Sequence, residues 1–221
     1  MASRNDPLTF QEHGAELRPA AAVDGLNDLR NVLAGLPQEA AGTRVHGIEP
    51  LRRFLSSDGL VGTHAASALG RQARAVRAVL FNKTAETNWS LAWHQDRTIC
   101  VRERVDAPGY GSWTVKAGLH HVAPPFDLLA RMVTLRVHLD DVPITNAPLI
   151  VAPRSHRLGR VPVGAIDQAV RESGSHVCLA KAGDKWLYST PLLHGSDAAT
   201  TPAQRRVLQV DFAAEELPEG L

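Results

Sequence analysis

From Gln72 onward the chain is cut into short apolar or alternating runs by glycine, proline and aspartate, and this segmentation limits the fold more than any other feature. Runs of that length between turn formers are the pattern of a β-sandwich or barrel. Strands are expected at Ala75 to Phe81, Thr98 to Val105, Met132 to Leu139, Leu149 to Ala152, Lys185 to Ser189 and Arg206 to Phe212. Phe126, Leu128 and Leu129, after Pro124-Pro125, suggest one helical turn among them. The connections leave little room for helices between strands, which argues against a doubly wound α/β sheet. Before residue 72 the spacing is helical. Val23, Leu26, Leu29, Leu33 and Leu36 mark one helix face that Pro37 ends, and Leu51, Phe54 and Leu55 mark a second. A third is expected to start at the cap Ser57 or Asp58 and to bury Leu60, Val61, His64, Ala68 and Leu69. The fold expected is mainly β, a jelly roll with flanking N-terminal helices.

With 221 residues, 44% of them apolar, the chain can bury one sizeable core. A single domain over residues 1–221 is expected, with a helical preface at 1–71 and a jelly-roll core at 72–221. Lysine and arginine number 24 against 23 acidic residues. A net charge of +1 supplies no long-range field for nucleic acid or an anionic membrane, so the expected partners are small molecules. Met1 to Asp6 is polar and lacks the order of a signal peptide, and no stretch approaches the roughly 18 apolar residues of a membrane span. With Cys100 and Cys178 as the only cysteines, a cytoplasmic location is expected and a thiol-ligated metal is not.

Among ten histidines, two have neighbours suited to metal chemistry. In Trp93-His94-Gln95-Asp96, the histidine and aspartate are two residues apart, so in extended backbone both side chains leave one face. His194 follows the apolar Leu192-Leu193 and precedes a glycine. Two ligands from one strand and a third from a distant one form a facial triad, which leaves three adjacent positions of an octahedral ion open for oxygen chemistry. A 2-oxo dicarboxylate could chelate such an ion, and its far carboxylate would need a fixed cation, for which arginine's planar fork is best suited. Arg205 and Arg206 lie at the start of the last strand, and strand alternation lets only one of them point inward.

Over about Leu80 to Phe212 the sequence resembles the phytanoyl-CoA dioxygenase family, which includes ectoine hydroxylases. The likeness rests on Phe81-Asn82-Lys83, Trp93-His94-Gln95-Asp96, the segment Asn146 to His156, and His194-Gly195-Ser196 followed by Arg205. The resemblance implies a double-stranded β-helix of cupin-like type and an oxygenase using Fe(II), 2-oxoglutarate and O2, usually to hydroxylate an unactivated carbon. It implies His94, Asp96 and His194 as iron ligands and Arg205, rather than Arg206, as the 2-oxoglutarate anchor. Ser196, Thr134 and Asn82 fall at positions that contact the co-substrate in relatives, and Arg136 at one used for an active-site side chain. Two glycines usual in the family are replaced, by Ala147 in Asn146-Ala147-Pro148-Leu149 and by Arg154 in Pro153-Arg154-Ser155-His156, which bears on turn geometry. Asp96 is retained, which favours hydroxylation over halogenation.

Trp113, in the glycine-flanked run Gly109 to Trp113, either covers the substrate or pins its loop to the core. Arg136 shares a strand face with Thr134 and His138, opposite Val133, Leu135 and Val137, so it is solvated or points into a polar cavity. In a cavity it would favour an anionic substrate, because an unpaired buried cation is costly. Two rival readings use the same scaffold: a zinc or manganese isomerase or hydrolase with no need of Arg205, and a non-catalytic protein that binds small acids.

Overall fold

The computed structural model describes residues 7–37, 39–218 and 221; the polar stretch Met1 to Asp6 lies outside them. The N-terminal part comprises α1 (Phe10–His13), β1 (Ala15–Arg18), α2 (Leu26–Leu33), β2 (Gly42–Arg44), α3 (Arg52–Leu55) and α4 (Gly62–Leu69). There follow β3 (Arg74–Lys83), β4 (Leu91–His94), β5 (Ile99–Val101), β6 (Gly111–Lys116), β7 (Leu119–Ala123), α5 (Phe126–Ala130) and β8 (Val133–His138). The remainder is β9 (Leu149–Val151), α6 (Ile166–Ser173), β10 (His176–Cys178), β11 (Lys185–Ser189), β12 (His194–Ser196) and β13 (Arg205–Ala213).

A six-stranded sheet in the order β1-β11-β8-β13-β3-β2 faces a four-stranded sheet in the order β10-β9-β12-β4. All ladders are antiparallel, and from β8 onward the chain passes back and forth between the two sheets, β8 large, β9–β10 small, β11 large, β12 small and β13 large, as in a double-stranded β-helix. The preface is therefore not purely helical. β1 and β2 extend the two edges of the large sheet, pairing with β11 and β3. Such short edge strands are fixed by their partners more than by a pattern of their own.

Alternation on the large sheet separates packing from chemistry. One face presents Leu80, Val133, Leu135, Val137, Leu187, Leu208 and Val210, which pack with Leu26, Leu29 and Leu33 of α2 and Phe54 of α3. Leu26, Leu29 and Leu33 sit on one side of α2 because three- and four-residue steps return to the same face. Val23 lies in the 3-10 turn before α2 and is half exposed, and α4 starts at Gly62 without a side-chain cap from Ser57 or Asp58. The opposite face of the sheet looks into the barrel and carries the polar residues. A third sheet, β5-β7-β6, encloses its own apolar cluster around Ile99, Val122 and Leu129. Only Ile99–Val101 of the expected strand Thr98 to Val105 is extended.

Both replaced glycines keep the glycine backbone: Ala147 has φ 51° and Arg154 φ 70°. A Cβ in that left-handed region costs about 1–2 kcal/mol, so the turns persist under strain. No described helix is long and apolar enough to cross a membrane.

Candidate metal centre

β4 and β12 pair so that His94 stands opposite His194, with ring centroids 4.3 Å apart. Asp96 follows two residues after His94, and ligand atoms of all three lie within 4.8 Å of one another. The close approach of the strands depends on Gly195, where a Cβ would meet the Leu91 carbonyl oxygen at 3.0 Å and the Trp93 nitrogen at 3.4 Å. Each imidazole is oriented through Nδ1, which donates to a backbone carbonyl, Ala92 at 2.9 Å for His94 and Leu192 at 2.8 Å for His194. That tautomer leaves Nε2 with its lone pair, as a metal ligand needs. Burial, reinforced by His94, pulls His194 down to about 4, so it is neutral at pH 7. Two imidazoles and a carboxylate within 4.8 Å of one another fit a divalent ion of the ferrous type, with part of its coordination sphere left open.

Asp96 is joined to a buried polar chain. Arg77 of β3 donates to Asp96 Oδ2 at 3.1 Å and, through Nε, to Asp211 of β13. Thr134 donates to Asp211 at 3.0 Å and lies 3.1 Å from the Thr190 hydroxyl. Arg77, with the two histidines, holds the Asp96 carboxyl below the usual range against the effect of burial, whereas burial raises Asp211.

A cationic cavity opens from His194 along the barrel, lined by Phe81, Lys83, Trp89, Arg136, Ser196 and Arg205 among others, with no carboxylate in its wall among the described residues. The register explains the convergence, since Lys83 pairs with Arg205, Phe81 with Val207, and Arg136 with Gln209. Arg205 donates to the Ala147 carbonyl at 2.8 Å, and Ser196 reaches the same oxygen at 3.1 Å. Lys83 Nζ donates to the Trp89 carbonyl at 2.7 Å and lies 3.3 Å from Ser196 Oγ. Burial, then repulsion by Arg136, lowers Arg205 to about 9, and burial, then repulsion by Arg205 and Arg136, lowers Lys83 to about 8. Arg136, 7% exposed, donates to Gln209 at 2.9 Å and stacks over Phe81. The Nε atoms of Arg136 and Arg205, and both ring nitrogens of His138, have no hydrogen-bond partner among the described residues. The cavity is about 30 Å³, and within it Lys83 and Arg205 are turned onto backbone carbonyls.

Among the expected co-substrate residues, Arg205 and Ser196 meet in this cavity, and Arg136 joins them. Arg206 faces the other way and pairs with Asp140 at 2.7 Å. The other three expected residues, Asn82, Thr134 and Trp113, are not in the wall of this cavity. Asn82 lies opposite Arg206 in the ladder, on the helix-covered face, because its neighbours Phe81 and Lys83 take the inner one. Thr134 does face inward, but its hydroxyl is committed to Asp211 and Thr190 behind the metal ligands. Trp113 packs in the cluster of the three-stranded sheet with Arg104 over its ring, and is absent from the cavity wall. Lys83 was not singled out from sequence, although it sits in the motif Phe81-Asn82-Lys83; the alternation that puts Arg205 inward would have found it.

A cluster of two histidines and a carboxylate that could hold a metal ion, on and beside two paired strands of a jelly roll with a buried cationic pocket next to it, is the arrangement expected of a jelly-roll metalloenzyme. The sequence profile of the phytanoyl-CoA dioxygenase (PhyH) family matches residues 40–207, and the chain belongs to that family. No curated protein sequence matches it. Similar solved structures include EctD from S. alaskensis in its apoform, 18% identical with a TM-score of 0.66, covering 96% of this chain and 79% of that one. The non-heme alpha ketoglutarate dependent epimerase SnoN from nogalamycin biosynthesis is 15% identical at a TM-score of 0.61, covering 96% and 88%. HygX from Streptomyces hygroscopicus, solved with nickel and 2-oxoglutarate, is 16% identical at 0.62, covering 92% and 83%.

Proposed function

We propose that the chain is a non-haem Fe(II)- and 2-oxoglutarate-dependent dioxygenase that hydroxylates a small-molecule substrate. The observation that carries this reading is the pairing of a two-histidine, one-carboxylate centre with an arginine, a lysine and a serine in one cavity that has no acidic residue among the described ones. His94, Asp96 and His194 would hold iron. Arg205, assisted by Ser196 and Lys83, would bind the far carboxylate of 2-oxoglutarate. Family membership supports the same class, and EctD with bound Fe and HygX with nickel and 2-oxoglutarate are proteins of this fold.

When bound, the iron would couple oxidative decarboxylation of 2-oxoglutarate by O2, giving succinate and CO2, to transfer of one oxygen atom to a substrate C–H bond. The protein's own part is to bind, orient and keep dry. An arriving dicarboxylate draws Arg205 and Lys83 off the Ala147 and Trp89 carbonyls, replacing neutral acceptors with a charged one. Buried Arg136 donates to Gln209 and stacks over Phe81 with no carboxylate paired to it among the described residues, which suits a substrate bearing an anionic group.

Incubation with Fe(II), O2 and 2-oxoglutarate is expected to give slow succinate release without substrate, and His94→Ala to abolish it. Undiminished succinate from His94→Ala would overturn the reading. A mass-spectrometric screen of small carboxylic acids for the gain of one oxygen, stoichiometric with succinate, tests hydroxylation. A zinc or manganese isomerase or hydrolase would be unharmed by Arg205→Ala, and a binding protein would take up 2-oxoglutarate without forming succinate.

A further inference from the structure

Arg77 belongs to neither the ligand set nor the anion pocket, yet it is a buried cation shared by two buried carboxylates. It stands opposite Asp211 in the β3–β13 ladder, so both side chains point inward at the metal end of the barrel. Its guanidinium donates Nε to Asp211 and a terminal nitrogen to Asp96 Oδ2 at 3.1 Å. Asp211 is held from behind by Thr134, which meets Thr190; the relative exposures of Asp211, Thr134 and Thr190 are 2%, 0% and 1%. A carboxylate has two oxygens, and this chain of contacts engages one oxygen of Asp96 through a planar fork whose other arm is anchored.

We infer that Arg77 is a positioning residue that restricts Asp96 to one-oxygen ligation of the metal, with Asp211, Thr134 and Thr190 fixing Arg77. The inference rests on the metal reading of His94, Asp96 and His194. Ligation through one oxygen keeps three adjacent positions of an octahedral ion free. A carboxylate able to swing into two-oxygen ligation would take one of them. Asp211 also offsets the Arg77 charge, which would otherwise weaken Asp96 as a donor. Lysine carries the charge but lacks the fork that reaches both carboxylates.

The test uses anaerobic Co(II), whose visible absorption reports the number of ligands, on the whole chain. Arg77→Leu alone would strand the buried Asp211, so the informative variants are Arg77→Lys and the double variant Arg77→Leu/Asp211→Asn. Both are expected to keep the wild-type circular dichroism, to bind Co(II) about ten- to hundredfold more weakly, and to show an altered Co(II) spectrum. Wild-type affinity and spectrum in both variants would overturn the inference. Loss of the fold in both would overturn it too, by making the network purely structural. If wild-type protein itself takes up no Co(II), the metal reading falls with it, whereas wild-type uptake with unaffected variants defeats Arg77's role alone.

Discussion

At the scale of single residues, two adjacent arginines have opposite fates. Arg205 points into the cavity and Arg206 out to Asp140. Arg205→Met is expected to weaken 2-oxoglutarate binding by about 30- to 150-fold, the worth of roughly 2–3 kcal/mol of charged hydrogen bonding, in calorimetric titration of the metal-loaded protein. Arg206→Met should leave that affinity unchanged and cost about 1 kcal/mol or less of stability, since its ion pair lies at the partly exposed surface away from the cavity. Lys83 adds a pH dependence. Burial, then Arg205 and Arg136, lower it to about 8, so it is charged below that pH and neutral above. 2-Oxoglutarate affinity should therefore decline as pH rises through and beyond about 8, and Lys83→Met should flatten the profile. That only one of the two faces inward was legible because a strand alternates, and the choice of Arg205 came from the family resemblance. The fate of Asn82 was not, because a motif in sequence does not say which of its members faces the barrel. Ala147 shows the same limit from the other side: its φ of 51° keeps a glycine conformation that the side chain opposes. Ala147→Gly is expected to stabilise the protein by about 0.5–1 kcal/mol, the relief of strain exceeding glycine's entropy cost, as read from the urea midpoint.

At the scale of elements, β12 carries the most demanding geometry in three residues. His194 must meet His94 while Gly195 lets the β4 backbone approach. Gly195→Val should push the strands apart, costing about 1–3 kcal/mol of stability and most of the Co(II) affinity, as measured by thermal melt and metal titration. Strands with long apolar or alternating runs, β3, β8, β11 and β13, were legible within a few residues. The β6–β7 hairpin was not. Its turn is Ala117-Gly118, both with positive φ, and alanine at the first position hides a turn usually marked by asparagine or aspartate. β10 and β12 are three residues each, too short for a period to register, and exist through their neighbours β9 and β4. α6, with Ile166 and Ala169 buried, was also missed; two buried positions make a weak stripe.

At the scale of the whole molecule, one sheet serves two purposes on its two faces. Leu29 is fully buried against the helix-covered face, so Leu29→Ala is expected to cost about 2–5 kcal/mol in chemical denaturation. Far from the cavity, it should leave the 2-oxoglutarate affinity of the folded protein unchanged. The jelly roll and the candidate metal-ligand cluster were legible as a pattern, while the third sheet and the Arg77 network were not, because both arise from contacts between segments far apart in the chain. β13 carries the consequence furthest. Arg205, Gln209 and Asp211 point into the barrel, while Leu208 and Val210 point to the helices. A slip of one residue would turn the anion anchor and the carboxylate that grips Arg77 outward and drive leucine and valine into the polar interior. The apolar core thus acts as a proofreader of the chemistry: a molecule that has buried its leucines correctly has, by the same act, assembled its active groups.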